Sequence, residues 1–201
     1  MSRTWKIFLA WNLVILLASC NSQAAGVKIG DPAPAWSGLS GVDGKQHGLD
    51  DYRSAKLVVL VFTCNQCPVA KAYEDRLIAV AKDYQNKGVQ VIAVDCNPSP
   101  AEQLDKMKQR AAEKSFNFPY LHDSTQQQTG RDYGARVTPH VFVLDQQRKI
   151  AYLGAVDDNK EAGDVKTHYL RAALDALLDG KQPPKAETKA FGCGIKYQKH
   201  E

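Results

Sequence analysis

A chain of 201 residues with 44% hydrophobic side chains is long enough for one ordinary globular core, and its formal net charge is only +4. Removing Arg3 and Lys6 with an amino-terminal leader would leave 4 − 2 = +2. This excess is too small to indicate a nucleic-acid partner or an acidic membrane surface. Charge therefore gives no support to the strongly basic classes of binding protein.

The amino terminus has the pattern of a secretory signal peptide over residues 1–19. Two basic residues come first, and the apolar run at residues 7–18 is too short for a comfortable membrane span. We therefore predict export to the periplasmic side of a bacterial envelope, an environment in which disulfides persist.

The apolar run ends in Leu17-Ala18-Ser19-Cys20, which resembles the lipobox of bacterial lipoproteins. In that family the cysteine becomes the lipidated first residue of the mature chain. The resemblance implies that Cys20 carries the lipid and that residues 20–29 tether the domain to a membrane. The alternative is ordinary cleavage nearby, with small residues at Ser22 and Ala24 supplying the recognition site.

Residues 30–180 have the pattern of one domain in which strands and helices alternate. A glycine- and proline-containing extended segment opens it. A turn at residues 41–45 then separates two short candidate strands, which form an amino-terminal β extension. The apolar, β-branched run Leu57–Phe62 predicts a buried strand.

Two cysteines lie two residues apart in Cys64-Asn65-Gln66-Cys67-Pro68, between this strand and a predicted helix. The helix is indicated by apolar residues spaced three or four apart from Val69 to Tyr84, and its first turn tolerates proline. Unpaired amides and the positive end of the helix dipole favour a thiolate there. The pattern predicts dithiol–disulfide exchange, with Cys64 attacking and Cys67 resolving.

A structural disulfide and half of a zinc site are the alternative interpretations of the two cysteines. Zinc would need a second cysteine or histidine pair at suitable spacing, and the sequence has none. Redox chemistry is therefore the favoured interpretation.

The rest of the domain continues the alternation of strands and helices. Asp164 is expected to cap the last helix and Gly180 to end it, before a polar tail at residues 181–201. The other expected elements are a strand at 89–95, a helix through 104–111, an extended piece at 116–121, a short helix at 124–133 and strands at 141–144 and 150–153. This order predicts an α/β fold with a central mixed sheet flanked by helices. The cysteine pair lies at the carboxyl end of a central strand, where such sheets place their chemistry.

Three segments together resemble the redoxin (AhpC/TSA-like) family, whose members have the thioredoxin fold, and the resemblance covers residues 30–178. The segments are Gly30-Asp31-Pro32-Ala33-Pro34, Phe62-Thr63-Cys64-Asn65-Gln66-Cys67-Pro68 and Val137-Thr138-Pro139, and residues 118–123 and 192–197 resemble a bacterial subgroup. In thioredoxins the proline before the late strand is cis and faces the disulfide. The resemblance therefore implies a cis Pro139 at the site, with Thr138 pairing with an extended substrate. A trans proline at a strand start is the alternative that the residues alone allow.

The sequence departs from three branches of this fold. Thioredoxin has a tryptophan just before its first cysteine, where this chain has Thr63, so its potential and partner surface do not carry over. Peroxiredoxins place a threonine three residues before the peroxidatic cysteine, where this chain has Val61. That difference disfavours a thiol peroxidase, the first alternative function. Copper-handling proteins of this fold, the second alternative, separate their cysteines by three residues rather than two.

Several further residues are candidates for a role at this site. Cys193 lies between two glycines in the polar tail and is a candidate for a third redox thiol or for a disulfide partner of Cys96. Cys96 is otherwise expected to be a small buried side chain. The favoured interpretation of His140 is a solvent-facing residue at a strand start, and the alternative is a role in tuning the thiolate. Asp95 and Glu74 are candidates for a general base.

These features predict an exported thiol–disulfide oxidoreductase that uses neither a cofactor nor a metal. Its expected partners are protein thiols or disulfides and an upstream redox partner. A membrane is expected to be reached through the lipid anchor, and no nucleic acid is expected to bind.

Overall fold

A seven-stranded mixed sheet forms the centre of the computed structural model, which describes residues 26–123 and 126–199. The strands are β1 (Leu39–Gly41), β2 (Gln46–His47), β3 (Leu57–Phe62), β4 (Val89–Asp95), β5 (Tyr120–His122), β6 (Val137–Thr138), β7 (His140–Leu144), β8 (Ile150–Gly154) and β9 (Cys193–Gly194). The large sheet has the order β2-β1-β5-β4-β3-β7-β8, and β6 pairs with β9 in a small second sheet.

The central strands are buried on both faces. In β3, Val59 and Val61 belong to one core cluster, whereas Val58, Leu60 and Phe62 belong to another on the opposite face. This division follows from the two-residue period of a strand. β3 runs parallel to β4 and antiparallel to β7, so its carboxyl end lies in the middle of the sheet.

In the described part of the chain, four α-helices cover the sheet: α1 (Pro68–Tyr84), α2 (Leu104–Lys114), α3 (Gln128–Tyr133) and α4 (Tyr169–Leu178). α1 buries Tyr73, Leu77, Val80 and Tyr84, which share one helical face. It continues into a 3-10 turn that ends at Gly88, whose φ of 85° is the left-handed conformation expected at such a stop.

The predicted architecture is confirmed, including the mixed sheet, the flanking helices and the amino-terminal β extension made by β1 and β2. The predicted cap of the last helix is wrong. Asp164 lies in a 3-10 turn at Ala162–Asp164, and the chain leaves it in an extended conformation at Val165. α4 begins only after His168.

The carboxyl-terminal tail is docked on the domain over much of its length. The amide of Leu153 donates to the carbonyl of Ala186, and the amide of Thr188 donates to the carbonyl of Leu153. Further along, β9 pairs antiparallel with β6. Within residues 26–123 and 126–199, no helix is long and apolar enough to cross a membrane.

Candidate active site

The two cysteines of the Cys-x-x-Cys segment lie where β3 ends and α1 begins. The amide of Thr63 donates to the carbonyl of Val94, which carries the pairing with β4 one residue beyond β3. Cys67 is the N-cap of α1, and its Sγ accepts a hydrogen bond from the amide of Ala70 at 3.3 Å. The capping sulfur therefore satisfies one of the free amides of the helix.

Thr138 contacts both sulfurs from the opposite side. The Thr138–Pro139 peptide bond is cis, as the family resemblance implies. The Oγ1 of Thr138 lies 3.2 Å from the Sγ of Cys64, and the thiol of Cys67 donates to the carbonyl of Thr138 at 3.2 Å. Strand β6 and its proline thus bring a backbone carbonyl and a hydroxyl to the two thiols.

The two thiols differ in exposure. Neither Cys64 nor Cys67 is in a disulfide. Cys64 is 7% exposed and Cys67 is 2% exposed, so a partner reaches Cys64 more easily.

Protonation of the two thiols is linked by a hydrogen bond between them. The pKa of Cys67 is lowered, mainly because the Cys64 thiol donates to its sulfur, and the amide of Ala70 adds to this effect. The pKa of Cys64 is raised by the same hydrogen bond, by burial, and by the negative charges of Glu102 and Asp95. In the singly ionised pair, one proton is therefore shared between two sulfurs.

The hydrogen bonds to Thr138 favour the opposite arrangement, in which Cys67 keeps the proton and Cys64 is the thiolate. Its carbonyl, 3.2 Å from Cys67, accepts only from a protonated thiol. Its hydroxyl, beside Cys64, can donate to a thiolate. A thiolate on Cys67 would face the carbonyl oxygen of Thr138, whereas a thiolate on Cys64 would face its hydroxyl, so these contacts favour the proton on Cys67.

Glu102 binds the backbone of the segment between the two cysteines. Its carboxylate accepts the amide of Asn65 at 2.6 Å and the amide of Gln66 at 3.0 Å, and the residue is only 2% exposed. It comes from a 3-10 turn at Pro100–Glu102, between β4 and α2. The amides that would otherwise stabilise a nearby thiolate are therefore bound to a carboxylate.

Asp95 extends this buried polar network. Its pKa is raised well above that of an ordinary carboxyl, first by burial and then by the hydrogen bond and charge of Glu102. Tyr120 donates to Asp95 at 3.3 Å and to the side-chain oxygen of Asn65 at 3.1 Å. The candidate base Asp95 is therefore connected through Tyr120 to Asn65, which lies between the two cysteines. The other candidate, Glu74, is bound by Arg110 at 2.6 Å on another face of α1.

Cys193 lies beside the cysteine pair. The strand β9 pairs it with Thr138, and its side chain packs against the cluster of Cys64, Cys67 and Ala70. Cys96, by contrast, is fully buried and contacts the side chain of Tyr197. The structure therefore brings Cys193 to Cys67 rather than to Cys96.

The favoured interpretation of His140 as a solvent-facing residue is wrong. It is 9% exposed, and its ring packs 4.5 Å from that of Phe142. Its Nδ1 accepts a hydrogen bond from the amide of Arg136 at 3.4 Å. Burial, followed by the charge of Arg136, lowers the pKa of His140 to about 4, so the imidazole is neutral near pH 7.

A cleft of about 280 Å³ opens in front of the thiols. Cys64, Cys67 and Cys193 line one side of it, and Pro98, Ser99 and Lys196 contribute to the rest. In the part of the chain that the structure describes, no group of three or more histidine, cysteine or acidic side chains is arranged to hold a metal.

This fold and this pair of thiols define a thioredoxin-fold protein. The chain belongs to the AhpC/TSA family, which it matches over residues 29–153. It is a thioredoxin-like oxidoreductase.

Two curated relatives show what this chain is similar to. It is 30% identical over 156 residues to "Thiol-disulfide oxidoreductase ResA" of Geobacillus thermodenitrificans, covering 76% of this chain and 83% of that protein. It is 28% identical over 141 residues to "Thiol:disulfide interchange protein DsbE" of Pasteurella multocida, covering 69% of this chain and 72% of that protein.

A solved structure of an uncharacterized conserved protein from Geobacillus kaustophilus is also similar, with 34% identity and a TM-score of 0.81. The match covers 87% of this chain and 94% of that one. A structure described as a putative DsbE from Chlorobium tepidum matches at 26% identity and a TM-score of 0.56, over 64% of this chain and 85% of that one.

Proposed function

We propose that the protein exchanges disulfides with protein thiols through Cys64 and Cys67. The observation that carries this proposal is the placement of both sulfurs at the start of α1, each within 3.2 Å of an atom of Thr138. The names of the relatives from Geobacillus thermodenitrificans and Pasteurella multocida support the same chemistry.

In the proposed reaction, the thiolate of Cys64 attacks one sulfur of a partner disulfide. A bond forms between Cys64 and that sulfur, and the other partner sulfur leaves with the electron pair. Cys67 then loses its proton and attacks Cys64, which closes the Cys64–Cys67 disulfide and releases the partner as a thiolate. The partner is reduced by two electrons and the cysteine pair is oxidised by two. An upstream thiol partner resets the pair, and each step is reversible.

The neighbouring residues have distinct roles in this scheme. The Thr138 hydroxyl stabilises the attacking thiolate, and the Thr138 carbonyl holds the proton of Cys67 until the mixed disulfide forms. Pro139 follows Thr138 through a cis bond and has no amide hydrogen to donate.

Partner trapping tests this assignment. We expect Cys67→Ala to accumulate mixed disulfides with partner proteins, because the resolving thiol is gone, and Cys64→Ala to accumulate none. Both substitutions are made in a Cys193→Ala background so that the tail thiol cannot resolve the adduct. Adducts are read on non-reducing gels and identified by mass spectrometry. Trapping by Cys64→Ala and not by Cys67→Ala would reverse the roles.

Two activity assays test the class of reaction. The reduced protein is expected to reduce insulin disulfides and to consume hydrogen peroxide no faster than its Cys64→Ala variant. Rapid Cys64-dependent loss of peroxide without insulin reduction would support the thiol peroxidase instead.

We further propose that the protein is exported and held at the periplasmic face of a membrane through a lipid on Cys20. This segment lies outside the described residues, and the proposal rests on the signal-like sequence and the lipobox. The domain would then occupy residues 30–180, tethered by residues 20–29.

Fractionation tests the anchor. We expect the wild-type protein to sediment with membranes and Cys20→Ala to be lost from that fraction, because stable anchoring requires several acyl chains at this residue. Cys193→Ser is the control and should sediment as the wild type does. A wild-type protein that is wholly soluble in the periplasm, with an amino terminus near Ala25, would contradict the lipobox assignment.

A further inference from the structure

The carboxyl-terminal tail pairs with the backbone edge of β6, which an extended substrate would also use. Polypeptides that bind as added strands hydrogen-bond to a free backbone edge, and the residue before the cis proline presents such an edge beside the two thiols. Here Val137 pairs with Gly194, and Thr138 pairs with Cys193. The chain thus places its own cysteine opposite the residue that contacts both sulfurs of the pair.

Glycine allows this close approach. A Cβ added to Gly192 would lie 2.0 Å from the carbonyl oxygen of Thr138, and the φ of Gly192 is +154°. Both features disfavour any side chain at this position. By contrast, a Cβ added to Gly194, two residues on, would meet only the carbonyl oxygen of Arg136, at 4.0 Å.

Contacts on both sides of Cys193 fix it in place. Before it, the ring of Phe191 packs against that of Tyr73 with centroids 6.1 Å apart. After it, Ile195 donates to the carbonyl of Arg136 at 2.9 Å, and the hydroxyl of Tyr197 donates to a main-chain carbonyl at 2.8 Å. The thiol is therefore presented at the site by a docked segment.

The amino terminus of α1 contacts both Cys67 and Cys193. The amide of Ala70 donates to Cys67, and Cys193 packs against the cluster formed by Cys64, Cys67 and Ala70. Cys193 is half-buried, whereas Cys64 and Cys67 are buried, so it is the most accessible of the three thiols.

We propose that Cys193 is a third exchanging thiol of this site, which takes over the disulfide from Cys64–Cys67 by bonding to Cys67. The inference rests on the proposed function. The thiolate of Cys193 attacks Cys67 in the Cys64–Cys67 disulfide, and a Cys67–Cys193 bond forms. The Cys64–Cys67 bond breaks, and its electron pair leaves on Cys64 as a thiolate. The step is an internal rearrangement that needs no external oxidant or reductant.

This step would place the oxidised pair at Cys193, where a reducing partner can reach it. A reducing partner would attack Cys193 in the Cys67–Cys193 disulfide and release the thiolate of Cys67, while Cys64 serves the other partner. The two partners would then be contacted at different sulfurs. A polypeptide that pairs with Thr138 must first displace β9 from this edge.

Disulfide mapping tests the rearrangement. The full-length protein is equilibrated in reduced and oxidised glutathione, quenched with acid, alkylated and digested for mass spectrometry. We expect both Cys64–Cys67 and Cys67–Cys193 disulfides in the wild type, and the Cys67–Cys193 disulfide in Cys64→Ser.

A matched glycine pair then tests the role of the docked strand. Gly192→Ala should lower the yield of the Cys67–Cys193 disulfide about tenfold or more, because it removes the local concentration that docking provides. Gly194→Ala should leave that yield unchanged. Both variants keep all the cysteines, and their folding is checked by circular dichroism and thermal unfolding.

The outcomes separate the two proposals. Detection of Cys64–Cys67 alone in the wild type, with no Cys67–Cys193 disulfide in Cys64→Ser, overturns this inference and leaves the proposed function standing. Equal yields from the two glycine variants also contradict the docked-strand argument. If neither disulfide forms while the protein is folded, the proposed function itself fails. Because the wild type and Cys64→Ser decide the main question, an unfolded Gly192→Ala variant would not remove the test.

Discussion

Glu102 places a buried carboxylate against the backbone that joins the two cysteines. Its oxygens bind the amides of Asn65 and Gln66, and its charge contributes to raising the pKa of Cys64. An amide group bound in this way is less able to stabilise a thiolate. The chain therefore combines a helix amino terminus, which favours a thiolate, with a carboxylate that opposes it.

We predict that Glu102→Gln lowers the pKa of Cys64, because it removes a negative charge while keeping one oxygen to accept an amide. The pH dependence of Cys64 alkylation should shift to lower pH, and the Cys64–Cys67 pair should become more oxidising because its reduced form is stabilised. Glu113→Gln, on the exposed side of α2, is the matched control.

Alkylation profiles that coincide for wild type and Glu102→Gln would show that this carboxylate does not act on the thiol. A loss of reactivity without a shift in the profile would assign Glu102 a purely structural role.

At the scale of secondary structure, α1 is held to the segment after β8 by buried polar contacts. Arg76 forms an ion pair with Asp157 at 2.6 Å, and the hydroxyl of Tyr73 donates to the same carboxylate at 2.8 Å. Asp157 is only 1% exposed. The helix that begins at the two thiols is thereby fixed to the segment that follows β8.

We predict that Asp157→Ala destabilises the protein by about 3 kcal/mol, because it removes the carboxylate that pairs with the largely buried guanidinium of Arg76 and leaves that charge to main-chain carbonyl oxygens such as that of Asn159. Asp75→Ala, which breaks an ion pair with Lys114 on the exposed side of the same helix, should cost less than about 1 kcal/mol. Urea unfolding of the two variants measures the difference. Equal losses would mean that burial of the Asp157 contacts adds nothing.

Local sequence patterns predicted the elements that depend on nearby residues. The run Leu57–Phe62 is a buried strand, and the cysteine pair lies at a helix start, because both features follow from residue periodicity and first-turn chemistry. His140 was misjudged because a strand start gave no sign that β7 is buried at every position.

The parts of the site that sequence did not predict depend on distant segments. Glu102 reaches the cysteine loop only because the connection after β4 folds back under it, and one acidic residue in a loop carries no sequence signal for that contact. The flanking glycines did indicate that Cys193 is unusual. Its place beside Cys67, however, depends on the pairing of β9 with β6, which no local periodicity encodes.

At the scale of the whole molecule, buried ionisable groups link stability to pH in opposing directions. The pKa of Asp95 is raised in the folded protein, so its contribution to stability is present at low pH and lost as the pH rises. The pKa of His140 is lowered to about 4. Its contribution is therefore present above the unfolded value near 6.5 and is lost as the pH falls through 4. A wild-type stability profile alone cannot separate these groups.

We predict that His140→Gln flattens the loss of stability between pH 6.5 and pH 4, because the variant has no imidazole to protonate on unfolding. In the wild type, the unfolded chain binds this proton near pH 6.5 and the folded protein binds it only near pH 4, so acidification across that window favours unfolding by up to about 3 kcal/mol. Urea unfolding at pH 7 and pH 4.5 measures the change for each protein. Any constant cost of replacing the ring, such as the lost contact with Phe142, appears at both pH values and cancels in this comparison. If wild type and variant lose the same stability between the two pH values, His140 is not the group that links acid to unfolding.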